Sequence, residues 1–488
     1  MSAARNRILL AVLIALDGCA GPRPVLPPDA KIEPPAAWRT APDQRGPEVS
    51  ATWWDAFGDP GLTRVVRAAL DGNADIRIAA ARVQELMGQA AFARAQRLPE
   101  LDGRVDYRRD RSVNPVDGVP QVGNVTEPVL ALSFDADLFG RLRAADAASR
   151  AALLGTRAAQ ADVRLLVAAT AARDWFTLRS LDARLATLHQ TLAAREQTRK
   201  LVSRRVSVGY AAQLDLAQAE AEYHATQQQI PATELAVRRM EDALSVLLGR
   251  NPGSIDRGDV VAEPVLPPPP TVVPASLLRR RPDIVEAEEH VVAADKALDA
   301  SRAAFMPDLR LSADWGHATS TLLHNHPVDV FTMGASILAP IFDAGRLRAQ
   351  EDSAAARRDQ AAFAYRKTAL EAFAQVEDAL SSTRHLHEQL DDLQAQKSAL
   401  ERALQIASAR YRAGYAPFLD QLDAQRNLLS VQLAIVQMRA DELDAYVTLF
   451  QALGGGWDRS LLEGDQGRAD GGMPRDARTG GQTGRRLR

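Results

Sequence analysis

From Leu386 onward, apolar side chains return every three or four residues. The series is Leu386, Leu390, Leu393, Leu400, Leu404, Ala407 and Tyr411, with Lys397 its one polar member. A second series runs through Leu422, Leu429, Leu433, Val436, Ala440, Leu443, Val447 and Phe450, with Arg426 its polar member. Alternating steps of four and three keep one stripe of a helix turned toward a partner. The two series therefore predict the arms of a helical hairpin packed as a coiled coil. Between them lies Ala413-Gly414-Tyr415-Ala416-Pro417. Glycine permits the left-handed residue that ends a helix, and proline suits the first turn of the next. Residues 405–429 are read as the hairpin tip.

The same hairpin occurs earlier. Arg205, Gly209, Tyr210, Ala211, Leu214, Asp215 and Ala219 recur 205 positions later as Arg410, Gly414, Tyr415, Ala416, Leu419, Asp420 and Ala424. The offset holds from Gly140-Arg141-Leu142-Arg143 against Gly345-Arg346-Leu347-Arg348 to Leu248-Gly249 against Leu453-Gly454. One inserted residue would turn every later side chain of a helix by about 100°. A constant offset is thus what two coiled coils held in register require, and the chain reads as a tandem duplication.

A different period separates the helices. Leu101, Gly103, Val105 and Tyr107 alternate with polar residues after Pro99, and Leu309, Leu311, Ala313 and Trp315 do so after Pro307. Second strands are predicted over Val129–Phe139 and Val330–Phe342, with polar loops over Asn114–Asn124 and His317–Asp329. Each strand has an oily and a wet face. That suits a half-buried soluble sheet, or a barrel wall with lipid on one side and water on the other. Open strand edges are not tolerated in lipid, so four strands make a barrel only with strands from other chains.

Helix is predicted over Leu62–Leu98 with a break near Asp71-Gly72-Asn73, with Asp59-Pro60 as its capped start, and again from Gly140 to about Arg205. The return helix, Ala212–Leu248, contains Pro231 and should kink there, whereas Val436 holds the matching place in the second copy. A helix is also expected to run unbroken from Leu277 through Ala304. The organisation is then a signal segment 1–18, an extended tether 19–52, repeat one 53–262, a proline-rich linker 263–276, repeat two 277–457 and a disordered Gly- and Arg-rich tail 458–488.

Composition narrows this further. Aromatics make up only 5 % of the 488 residues, as in long-helix proteins, and a net charge of −3 gives nucleic-acid binding no electrostatic support. No apolar run is long enough for a membrane helix. The single cysteine, Cys19, follows Arg5 and Arg7 and the short apolar run Ile8–Leu16. Leu16-Asp17-Gly18-Cys19 resembles the bacterial lipoprotein signal, apart from Asp17, and marks Cys19 for lipidation. No other cofactor and no metal is expected. His317, His324 and His326 read as a solvated loop, and His385 and His387 sit two apart on a helix, where they do not face each other. No HExxH, Walker or dinucleotide motif is present, and no catalytic constellation stands out, so the chain is not read as an enzyme.

Several segments together resemble one family, in family order over some 400 residues from Trp53 to Trp457. They are Phe134-Asp135-Ala136-Asp137-Leu138-Phe139-Gly140-Arg141-Leu142, Leu278-Arg279-Arg280-Arg281-Pro282-Asp283-Ile284, Ala339-Pro340-Ile341-Phe342-Asp343-Ala344-Gly345, Phe373-Ala374-Gln375-Val376-Glu377-Asp378-Ala379-Leu380 and Ala452-Leu453-Gly454-Gly455-Gly456-Trp457. The chain is similar to the outer-membrane factors of tripartite efflux and secretion systems, TolC/OprM-like proteins of the lipidated NodT-type group. The resemblance implies an α+β membrane protein and a homotrimer with a 12-stranded barrel in outer-membrane lipid. It implies a periplasmic helical tunnel, a periplasmic adaptor docked at its end and an inner-membrane pump beyond. The exposed tips at Gly209-Tyr210 and Gly414-Tyr415 are what an adaptor would read. Asp420 and Asp423, on one helical face, are candidates for a ring of carboxylates at the closed mouth. Asp420 matches Asp215 and also suits a capping role, whereas Asp423 matches Gln218. Arg426 is a candidate partner for Asp423 or part of a solvated face. An adaptor would carry one such hairpin among β-domains, and a purely structural coiled coil would need no strand pairs.

Overall fold

The computed structural model describes residues 22–40, 46–113, 118–258, 264–270, 272–321, 326–460 and 462. The signal segment, Cys19, His324 and the tail from residue 463 lie outside them. Copy one comprises α1 (Pro60–Gly72), α2 (Ala74–Ala95), β1 (Glu100–Val113), β2 (Pro120–Ala136), α3 (Arg141–Ser207), α4 (Gln213–Gln227) and α5 (Gln229–Leu247). Copy two comprises α6 (Leu277–Arg280), α7 (Pro282–Ala303), β3 (Asp308–Ser320), β4 (Val328–Leu338), α8 (Arg346–Arg412) and α9 (Phe418–Ala452).

The duplication is clearest in the long helices. Helices α3 and α8 are both 67 residues long, with both ends 205 positions apart. At 1.5 Å per residue each spans on the order of 100 Å. Asn73 breaks the first helix as the sequence implies, its side chain capping α2 through the amides of Asp75 and Ile76. The return arms differ as Pro231 requires. Copy one's arm is split at Gln228 into α4 and α5, because proline offers no amide to the carbonyl four residues back, while α9 runs unbroken for 35 residues. One expected helix is interrupted: Arg281 is extended (φ −98°, ψ 121°) between α6 and α7. The residue before a proline is pushed out of the helical region, and Pro282 follows.

The strands form one antiparallel sheet in the order β1-β2-β3-β4. Both second strands begin earlier than alternation suggested, β2 at Pro120 and β4 at Val328, and β3 runs on to Ser320. Pairings such as Asp110↔Gly123 and Val113↔Pro120 recruit turn-type residues into the ladder, so backbone pairing overrides local propensity there. The register brings one face together across all four strands. Leu101 lies opposite Leu132, Leu132 opposite Ala313 and Ala313 opposite Met333; Leu130 lies opposite Trp315 and Trp315 opposite Phe331. On this face Phe331 is 76 % and Met333 81 % exposed. The other face carries Asp102, Arg104, Asp106, Ser312, Asp314 and Thr332.

Where sheet meets helices, a buried acid anchors each copy. Asp146 in α3 and Glu351 in α8 are 205 apart; Arg97 reaches the first at 2.6 Å and Arg302 the second at 2.5 Å. Farther along, Trp53, Trp54 and Phe57 pack with Trp175, Phe176 and Phe450, and the Trp53 and Phe450 rings stack at 5.4 Å. Asp59 caps α1 and accepts the Trp175 indole N–H at 2.8 Å. The described part of the N-terminal tether, which includes a 3-10 turn at Pro28–Ala30, lies against the helices. Arginines of α8 supply donors to several of its carbonyls: Arg358 donates to Pro24 and Val25, and Arg366 to Asp29 and Lys31. Glu377 accepts the amides of Arg39 and Thr40.

Arg281, freed from the helix, caps the end of α9 by donating to the Ala452 carbonyl at 3.1 Å, and binds Asp283 and Gln375. It borders a cleft of about 220 Å³ that Asp162 of α3 also lines. Burial pushes the Asp162 carboxyl up to about 6, Asp283 and Glu286 reinforce the rise, and Arg281 opposes it. A carboxyl whose folded value lies above its unfolded value favours the folded state at low pH. That contribution is complete below about pH 4 and is lost as pH rises through 6, leaving a penalty of about 1–3 kcal/mol above it. Asp162→Asn is therefore expected to melt higher than wild type at pH 7.5, with the gap in thermal midpoint closing as pH falls from about 7 to 4.

Candidate functional site

The end of the helical arms remote from the sheet concentrates the chemistry. Both tips are built alike: Gly209 and Gly414 each have φ +80°, a left-handed conformation that glycine adopts without strain. The Tyr210 amide donates to the Arg205 carbonyl and the Gly209 amide to Val206; Tyr415 and Gly414 repeat this with Arg410 and Tyr411. These paired bonds satisfy carbonyls that a helix end leaves open. Tyr210 and Tyr415 stand 85 % and 80 % exposed, and the matching pair Leu214 and Leu419 extends the apolar patch on each tip.

Between the tips lies a small core of Val202, Ala219, Tyr411, Phe418 and Leu422. Arg205 of copy one crosses to copy two. Its guanidinium donates to the carbonyls of Tyr411 and Arg412 and lies over the Tyr411 ring at 4.9 Å. A cation at the C-terminal end of α8 meets both the open carbonyls and the negative end of the helix dipole.

Asp420 and Asp423 are exposed on the first turns of α9, as the sequence suggested. The copies separate their roles. Asp215 accepts the amide of Ala212 at 3.4 Å, a cap in the expected place. The matching position before Asp420 is Pro417, which has no amide to give, so Asp420 lacks the capping bond of its counterpart. Arg426 lies 3.6 Å from Asp423 but binds Glu222 more closely, at 2.6 Å. Glu222 is also held by Arg195 at 2.8 Å, with Arg195 only 5 % exposed. Burial pushes the Arg195 guanidinium down, and Glu222 opposes that shift. One carboxylate of α4 thus joins α3 to α9.

Sequence reasoning missed Glu222, because the cluster exists once: its counterparts are Asn427, Ala221 and Leu400. The signal was in the seams, where Arg195 and Arg426 occupy positions otherwise apolar and so need a buried acid. His385 and His387 face apart, the former pairing with Glu388 and the latter with Glu442 of α9 at 2.8 Å. His317 pairs with Asp329, and no group of metal-binding side chains occurs among the described residues.

The outer membrane efflux protein family model matches residues 65–250 and 273–455, one block in each copy. The pyoverdine export outer membrane protein OpmQ of Pseudomonas putida is 32 % identical over 476 residues, covering 94 % of this chain and 98 % of its own length. The cation efflux system protein CusC of Escherichia coli is 30 % identical over 414 residues, 84 % of this chain and 89 % of its own. The outer-membrane channel OprN has the same fold, with a TM-score of 0.83 at 27 % identity over 90 % of this chain and 99 % of that one.

Neutralising Glu222 leaves the buried Arg195 guanidinium without its countercharge, its bonds to the Glu222 carbonyl and Thr226 hydroxyl remaining, whereas removing Arg426 leaves Glu222 its other partner. Glu222→Gln should cost about 2–3 kcal/mol and Arg426→Gln about 1 or less. Hydrogen exchange in a peptide covering 213–227 should accelerate strongly in the first variant and weakly in the second.

Proposed function

This chain belongs to the outer membrane efflux protein family, and we propose that it is the outer-membrane duct of a tripartite efflux system, probed from the periplasm through its helical tips. The observation that carries the reading is the sheet: four strands with one apolar face, continuous with two helices of 67 residues each. An antiparallel wall with lipid on one face and water on the other has this alternation. Three copies, each contributing β1 to β4, would close a 12-stranded barrel, with β4 of one copy beside β1 of the next. The helices would then continue the wall into the periplasm as a tunnel. Lipid on Cys19 would anchor the tether that α8 holds in place.

The relatives bear names with unlike cargoes, pyoverdine in one case and cations in the other. A duct that encloses its cargo without selecting it accommodates both, and the energy and choice then belong to an inner-membrane pump of the RND type. A periplasmic adaptor would dock on the paired tips, where Tyr210, Leu214, Tyr415 and Leu419 offer two equivalent apolar handles.

The gate reading places Asp423 and Asp420 around the narrow end. Three-fold repetition would bring several carboxylates close together, and like charges repel. Contacts within each chain would hold the mouth shut: Arg205 on the end of α8, and Arg426 on Glu222. Opening is then an outward swing of the α8–α9 hairpin away from α3 and α4, biased by whatever the adaptor binds better. Single-channel recording in a planar bilayer tests this. Wild type should give small, flickering conductance, and Asp423→Ala several-fold larger and steadier openings, with Asp420→Ala between them. One large conductance for all three would refute the carboxylate gate, and no conductance from well-folded protein would refute the duct.

A further inference from the structure

The apolar face of the sheet ends abruptly on β1. Leu101, Gly103, Val105 and Tyr107 share that face, and the next two positions on it are Arg109 and Arg111. The β1–β2 register runs unbroken from Glu100↔Ser133 to Val113↔Pro120, so no bulge turns either arginine to the opposite side. Arginines of the polar face have partners beside them: Arg104 binds Asp106 at 2.6 Å and Arg108 approaches Asp110 at 3.5 Å. Arg109 and Arg111 are exposed, and among the described residues neither has a carboxylate within ion-pair distance. Their cross-strand neighbours, Asn124 and Val122, are neutral. On β3 and β4 the same face passes from Trp315 and Phe331 to His317 and Asp329, which bind each other at 2.6 Å. Among the described residues, the uncompensated positive charge of this face is therefore concentrated on β1.

We propose that Arg109 and Arg111 form a docking surface for the phosphates of anionic lipid headgroups at the bilayer surface farthest from the helices, an inference that rests on the membrane-spanning reading of the sheet. Tyr107 stands where an aromatic girdle meets the headgroups, and the two arginines lie roughly 7 and 14 Å farther along the strand. An arginine on the lipid face is costly at mid-bilayer and nearly free at the interface. A guanidinium presents paired donors that match phosphate oxygens, and two on one face suit a headgroup with more than one phosphate. The occupant is a lipid rather than free phosphate because the strip below the arginines is apolar. Acyl chains can lie along Val105 and Tyr107 while the phosphates meet the guanidiniums.

The test uses the full chain purified in neutral detergent. Lipid A, a glycolipid with two phosphates, is titrated against wild type, the double variant Arg109→Gln/Arg111→Gln and the polar-face control Arg104→Gln. At roughly fivefold per arginine, the double variant should bind roughly tenfold to thirtyfold more weakly. The control should stay within about twofold, since its charge is already paired and faces away. Equal affinity in the double variant overturns the proposal, as does displacement of lipid A by millimolar inorganic phosphate. Incorporation of wild type into phosphatidylcholine vesicles is scored separately. If it fails, the membrane-spanning reading falls; if it succeeds while lipid A affinity ignores the arginines, this inference alone falls.

Discussion

A sheet that carries an apolar band across one face and is unpaired, among the described residues, along both outer edges cannot be satisfied within one chain. Among the described residues β1 pairs only with β2 and β4 only with β3, so two rows of amides and carbonyls are open there. In water these edges would invite aggregation, and in lipid each unpaired group costs several kcal/mol. Closure with strands of other copies removes both problems and is the basis of the proposed barrel. In the proposed barrel, the helices would take their arrangement from that closure. Each strand pair leads into a 67-residue helix, and a buried acid, Asp146 or Glu351, ties that helix to an arginine preceding the strands in each copy.

Duplication supplies the frame and the departures from it supply the working parts. The two tips share their glycine stops and exposed tyrosines, which suits the proposed docking of an adaptor on both. The differences fall in the return arms. Pro231 breaks copy one's arm, and Pro417 removes the amide that would have capped Asp420. Arg426 and Glu222 replace what would otherwise be a pair of plain helix positions. An unbroken α9 is tied to its kinked neighbour by the partly buried Glu222 carboxylate, the contact on which the proposed gate motion depends.

Much of this was legible in the sequence because it is periodic. The seam residues Leu390, Tyr411, Leu422 and Leu429 are buried, and the 205-residue offset sets both ends of α3 and α8. The kink at Pro231 and the cap at Asp59 followed from the chemistry of single residues. What escaped depends on distant partners. Strand β2 begins at Pro120 because β1 reaches it, against local propensity. The tether docks because Arg358 and Arg366, more than 300 residues away, complete its carbonyls. Glu222 joins two arginines from other helices, and no spacing rule connects them.

The most direct test of the account is the number of chains per particle, counted by native mass spectrometry of the full-length protein released from a neutral detergent. The account predicts three, and no folded monomer, because the open edges of β1 and β4 leave none stable. A folded monomer, or an assembly of two, would contradict it: the sheet would then be closed by some means within one chain, and the shared barrel would have to be abandoned.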